Sequence, residues 1–179
     1  MTTYIGLLRG INVGGARMVA MADLRAMMTA LGFSDVTTVL QSGNVLFRGS
    51  PKAPARLESQ LEAALEKRLG LTVACHVRTA DEWHAIVEAN PFTGEARRDP
   101  SHLLVTCFKS PLDKAKVKAL QAAIAGPETL CADGRHLYMF FPDGVGNSKA
   151  VALIDRKLAA RGTARNWNTV TKLAALAGA

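Results

Sequence analysis

Four short stretches gather the side chains and backbone able to hold a ligand. The first is Arg9-Gly10-Ile11-Asn12-Val13-Gly14-Gly15, which follows an apolar run. Its glycines offer backbone N–H groups to an anion, and Arg9 offers a guanidinium that forks onto phosphate or carboxylate. The second is Gln41-Ser42-Gly43-Asn44, whose amides and hydroxyl orient polar groups. The third, Gly144 to Lys149, leads into a predicted helix. Helix starts carry unpaired N–H groups and a partial positive charge, so Ser148 and Lys149 mark a second anion site. The fourth is Arg165-Asn166-Trp167-Asn168, where an exposed Trp between Arg and Asn would stack a base. Each stretch also has a plainer reading. Glycine permits tight loops, Ser, Gly and Asn form turns, Asn147, Ser148, Asn168 or Thr169 cap helices, and a lone Trp fills core.

The elements that must position these stretches follow from hydrophobic period. Tyr4–Arg9 is a short buried strand, and Gly10–Ala16 is its loop. Met21, Leu24, Met28 and Leu31 recur at helical spacing, and Gly32 stops that helix. Val36–Leu40 and Val45–Arg48 flank the Ser42-Gly43-Asn44 turn. Leu57, Leu61, Leu65 and Leu69 give the next helix one apolar stripe, closed by Gly70; Glu58, Glu62 and Glu66 then read as its solvated edge. Thr72–Val77 is a fourth strand. The order is β-α-β-β-α-β, the ferredoxin-like plan of two helices on one face of an antiparallel sheet.

Thr79 caps a connecting helix to about Glu88, and residues 91–101 form a polar connection. A second pass follows: strand His102–Phe108, helix Leu112–Ile124, strand Glu128–Cys131, a turn at Ala132–Arg135, strand Leu137–Phe141, and a helix from Ser148 to Ala160. No clear fourth strand follows; Arg161–Asn168 leads to a short helix, Thr169–Ala177. The fold class expected is therefore α+β: two ferredoxin-like β-α-β-β-α repeats with antiparallel sheets, plus a short C-terminal helix. The domains expected are 1–78, a connection at 79–101, and an incomplete second repeat at 102–179.

In this plan the loop after the first strand and the turn between the second and third share one end of the sheet. Arg9, Asn12, Gly14 and Gly15 should therefore face Gln41, Ser42 and Asn44. Ser148, Lys149, Arg165, Asn166, Trp167 and Asn168 supply the other site.

The 179 residues carry a net charge of +7. Residues 1–90 hold nine Lys/Arg and eight Asp/Glu, whereas residues 91–179 hold thirteen and seven. This excess draws anionic partners, a phosphorylated small molecule or nucleic acid, or it serves solubility alone. Hydrophobic residues make up 49%, a globular balance. No apolar run is long enough to span a membrane, and the opening residues lack the basic start and apolar core of a secretory signal. Cys75, Cys107 and Cys131 form no C-x-x-C and read as core filling in a reduced, cytoplasmic setting. His76, His84, His102 and His136 have no metal-ligand spacing, so neither metal nor cofactor is expected. No dinucleotide fingerprint, G-x-S-x-G or H-E-x-x-H occurs, and the aromatics of an RNA-binding sheet are missing.

The segments YIGLLRGINVGG, QSGNVLF and SKAVALIDRKLAARGTARNWNTVTKLAAL, with their spacing, resemble the family called domain of unknown function 1697. The resemblance spans the whole chain and implies a two-part, ferredoxin-like α+β protein of bacterial type with no assigned activity. The leading expectation is thus a non-catalytic binder of an anionic ligand. The alternatives are a small enzyme, with Arg9 and Lys149 stabilising developing charge, and a purely structural or interaction module. Oligomeric state is open.

Overall fold

The computed structural model describes residues 1–15, 17–158 and 161–178. Two compact units emerge: Met1–Ala85 with the chain from Leu173 onward, and Ile86–Lys172. The divisions fall inside two helices, away from the boundaries expected at 79 and 102.

The first unit contains β1 (Thr2–Leu8), α1 (Met21–Ala30), β2 (Ser34–Val39), β3 (Asn44–Gly49), α2 (Pro54–Leu69) and β4 (Cys75–Thr79). Its sheet has the order β2-β3-β1-β4, with every neighbouring pair antiparallel. Met21, Leu24, Met27 and Met28 of α1 and Leu57, Leu61 and Leu65 of α2 are buried in one core with Tyr4, Val45, Phe47, Cys75 and Val77. Strand alternation puts these last five on one sheet face. Helix α2 begins with Pro54 and ends on Gly70, whose φ of 66° makes the left-handed cap.

The second unit repeats this order. It contains β5 (Leu103–Cys107), α5 (Lys114–Ala123), β6 (Thr129–Asp133), β7 (His136–Phe140), α6 (Ala150–Leu158) and β8 (Thr163–Asn166). Its antiparallel sheet runs β6-β7-β5-β8. Val117 and Leu120 of α5 and Ala150 and Ile154 of α6 pack with Leu137, Met139 and Phe141. The ferredoxin-like topology is present in both units, so the second repeat is complete. Its fourth strand, β8, was illegible because Thr-Ala-Arg-Asn has no apolar alternation; only Thr163 is buried, and pairing with β5 defines the strand. The expected end of the α6 helix at Ala160, the end of the first loop at Ala16, and Ala179 lie outside the described residues.

Between β4 and β5 the chain forms α3 (Ala80–Glu88) and α4 (Thr93–Arg98), and after β8 it forms α7 (Trp167–Ala177). Thr79 and Glu82 make a reciprocal capping box at the start of α3. Thr79 N–H donates to Glu82 Oε2 (2.9 Å), and Glu82 N–H donates to Thr79 Oγ1 (3.1 Å). Strand and helix therefore join without a linker. Among the described residues no helix is long and apolar enough to cross a membrane.

The expected solvated edge of α2 needs correction. Strand β4 ends its sheet, and among the described residues no further strand takes its outward N–H groups. Glu62 Oε1 accepts from Cys75 N–H at 2.8 Å, and Glu58 Oε1 accepts from Val77 N–H at 2.9 Å. Glu58 is buried and also lies 3.6 Å from the buried Arg78 guanidinium. Helical spacing puts Glu58, Glu62 and Glu66 along one line; the fold brings the first two over a strand edge and leaves Glu66 exposed. These carboxylates close an edge that would otherwise template pairing with another chain. Glu58→Ala removes the acceptor of a buried N–H and the carboxylate beside a buried cation, and the expected loss is about 3–5 kcal/mol in denaturant unfolding. Glu66→Ala should stay within about 0.5 kcal/mol of the parent.

Candidate functional site

The loop after β1 and the β2–β3 turn meet at one end of the first sheet. Leu8 N–H donates to Gly43 O at 2.8 Å. Asn12 then ties three backbone positions together. Its Nδ2 donates to Gln41 O (2.8 Å) and to Val19 O (3.1 Å), and its Oδ1 accepts from Val19 N–H (2.8 Å). Ile11 is buried beneath this tie. Gly43 has φ of 78°, and a Cβ there would stand 2.7 Å from Ile11 Cδ1 and 2.9 Å from Leu8 Cβ. Only glycine fits both the backbone angle and the space.

Sequence reasoning thus places Asn12, Gln41, Ser42 and Asn44 in one neighbourhood, and the structure brings them together. It also assigns two of them local work. Asn44 is fully buried, and its Nδ2 donates to Val39 O (2.8 Å) and Ser42 Oγ (3.0 Å). Asn12 and Asn44 are therefore the frame of the rim rather than side chains open to a ligand. Arg9 is half-buried, with its N–H on Ala74 O at 2.9 Å. Gly14 and Gly15 are exposed, have φ of 61° and 75°, and no described neighbour lies within 4 Å of where a Cβ would stand. Their backbone is the open part of the loop.

Arg17 belongs to the same rim and escaped sequence reasoning. Its O accepts from Asn12 N–H (3.2 Å), and its Nη1 lies 3.5 Å from the Cβ position of Gly10. Asn12, Arg17 and Leu40 have φ of 53°, 51° and 60°, and all three lie in these two bends. Val13, Met18 and Leu40 are exposed there, at 65%, 66% and 52% of full accessibility. Cation, open backbone and apolar side chains share one rim.

The second predicted constellation does not assemble as expected. Ser148 caps α6, accepting from Ala150 N–H at 3.1 Å, and its hydroxyl hydrogen goes to Glu128 Oε1. A buried carboxylate therefore holds the serine proposed for an anion. Lys149 is exposed beside it. Glu128 directly precedes β6, one edge strand, whereas Arg165 and Asn166 lie in β8, the opposite edge. Three strand spacings, about 14 Å, separate the two edges. Arg165 Nη1 donates to Thr163 Oγ1 (2.9 Å) and Ala164 O (2.7 Å), and burial pushes its pKa down to about 10, so it stays cationic at neutral pH.

Asn166, not Asn168 or Thr169, caps the last helix: its Oδ1 accepts from Thr169 N–H and Oγ1, each at 3.0 Å. The helix consequently starts at Trp167, two residues earlier than expected, and Asn168 is exposed in its first turn. Trp167 is buried, at 8% exposure, and offers no face for base stacking. Cys75 and Cys107 are buried as expected; Cys131 is only half-buried, because β6 is an edge strand.

A family model described as "Protein of unknown function (DUF1697)" matches residues 1–138. The chain belongs to this family. The match takes in the whole rim of this DUF1697 chain, both bends included. No curated protein matches it. Among solved structures, a conserved bacterial protein, SP0830 from Streptococcus pneumoniae, is similar across 98% of each chain, with a TM-score of 0.76 and 24% identity. That likeness concerns the fold.

The rim of the DUF1697 chain gives a direct test of its frame. Gly43→Ala forces a Cβ against Ile11 and Leu8 and strains the turn, and should destabilise by about 1–3 kcal/mol in denaturant unfolding. Gly14→Ala has open space and should change stability less, by about 1 kcal/mol from its positive φ alone.

Proposed function

We propose that this protein is a non-catalytic binder of a phosphorylated small molecule, held at the rim formed by the β1 loop and the β2–β3 turn. The observation that carries the reading is the Asn12 tie. It fixes two bends from distant parts of the chain and holds the Gly14-Gly15 backbone open between Arg9 and Arg17. Open glycine backbone at positive φ forms the concave N–H surface that suits phosphate oxygens. Arg9 and Arg17 supply the cationic partners, and guanidinium geometry matches phosphate bidentately.

The exposed Val13, Met18 and Leu40 add an apolar shelf to the same rim, which suits a metabolite with an apolar or planar portion attached to its phosphate. Backbone strain supports a binding role as well. A left-handed conformation costs a non-glycine residue about 1–2 kcal/mol, and the bends contain three such residues. The two bends hold Arg, Asn, Gln, Ser and Gly but no Asp, Glu, His or Cys, so they offer no general base for chemistry.

A thermal-shift screen of nucleotides, inorganic phosphate, sugar phosphates and short oligonucleotides tests this. A true ligand at a hundredfold excess over its Kd should stabilise the protein by about 2.7 kcal/mol. Arg17→Ala should weaken it about tenfold without moving the unliganded Tm. An oligonucleotide that binds with a steep salt dependence would replace the metabolite with nucleic acid. No stabilisation by any phosphate compound would overturn the reading.

A further inference from the structure

A cavity of about 150 Å3 lies inside the Ile86–Lys172 unit, between α6 and the sheet. Its walls include Leu104, Phe108, Leu137, Met139, Phe141 and Ile154, all side chains of that unit's hydrophobic core. The first unit has the same topology and shows where the space comes from. Its edge strand β4 turns Cys75 and Val77 into the core beside the leucines of α2. The edge strand of the second unit, β8, turns Ala164 toward the cavity, and Gly162 stands one residue before the strand. Gly162 has no room to be larger: a Cβ there would stand 2.4 Å from Thr106 Cγ2 and 2.8 Å from Phe108 Cε1. Small residues on the strand leave apolar volume that α6 does not fill. Empty volume in a core lowers stability, so its retention points to an occupant.

One polar group interrupts the apolar wall. Thr106 is 8% exposed and lines the cavity, and among the described residues its hydroxyl has no hydrogen-bond partner. A buried hydroxyl without a partner is costly. Its methyl rests against Gly162, and a β-branched side chain has few rotamers, so the hydroxyl is held in place. Asp155 is the exposed member of the lining and marks the mouth. Its charge opposes entry of an anion.

Size, lining and this single hydroxyl choose the ligand. An apolar cavity of such volume stays dry and admits one six-membered ring. Thr106 Oγ1 both donates and accepts, which suits one hydroxyl group on that ring. The acidic mouth favours a molecule without negative charge. We infer that this cavity binds a small neutral phenol, its ring among the core side chains and its hydroxyl on Thr106 Oγ1. The site belongs to the second unit and is independent of the rim of the first.

Titration calorimetry on the full chain with phenol, benzene and benzoate tests the inference. Phenol should bind saturably, with a Kd of about 1 mM or below. Benzene should bind about fivefold more weakly for want of the Thr106 bond, and benzoate not at all. Thr106→Val keeps the shape and removes the hydroxyl, so phenol should then bind no better than benzene. Ala164→Leu fills the cavity and should abolish binding of both. If Ala164→Leu fails to fold, the Thr106→Val comparison decides the matter. No saturable binding of phenol up to about 10 mM, phenol binding unaltered by Thr106→Val, or benzoate binding as tightly as phenol would overturn it.

Discussion

One asparagine side chain holds the rim together. Asn12 uses both amide atoms, on three backbone groups from its own loop and from the β2–β3 turn. A loop with this many glycines has high conformational entropy when unfolded, and ordering it costs roughly 1–2 kcal/mol per residue. Bonds to the backbone of a neighbouring turn offset part of that cost. They also determine which groups remain open. The amides of Asn12 and Asn44 close the frame, and the Gly14-Gly15 backbone with Arg17 is left on its surface.

The tie depends in turn on sheet order. Pairing of β1 with β3 brings their connected bends to one end, and Leu8 N–H on Gly43 O seals the junction. Close approach there requires residue 43 to lack a Cβ. The same sheet has a second constraint at its far edge, where Glu58 and Glu62 take the outward N–H groups of β4. Polar side chains thus perform two structural tasks in the first unit: they fix the bends, and they close an edge. The second unit uses the same topology with a different polar arrangement. There a buried glutamate stands at the start of β6 and couples to the cap of α6.

Legibility in the sequence followed the strength of local signals. The leucine stripe of α2, the helical methionines of α1 and the Thr79 cap are periodic or positional, and they located their elements. The topology then placed Asn12 beside Gln41, although 29 residues separate them. What failed was whatever depended on tertiary partners. β8 has no apolar alternation of its own and exists through pairing with β5. Glu58 sits on a line of glutamates that looks solvated until the strand edge beneath it is known. Glu128 reads as the first residue of a strand, and nothing local announces its bond to Ser148, twenty residues on. Arg17 follows the glycines and does not stand among them, so its place in the sequence carries no signal of the rim. Trp167 could be buried or exposed by its neighbours' chemistry, and burial depended on where Asn166 set the start of the helix.

Amide hydrogen exchange on Asn12→Ala is the most direct measurement of the tie. Val19 N–H, bonded to Asn12 Oδ1 in the parent, should lose its protection in the variant, while the β1–β3 amides at Tyr4 and Phe47 keep theirs. Unchanged protection at Val19 would mean that the bends are held by something else, and the rim would lose its physical basis.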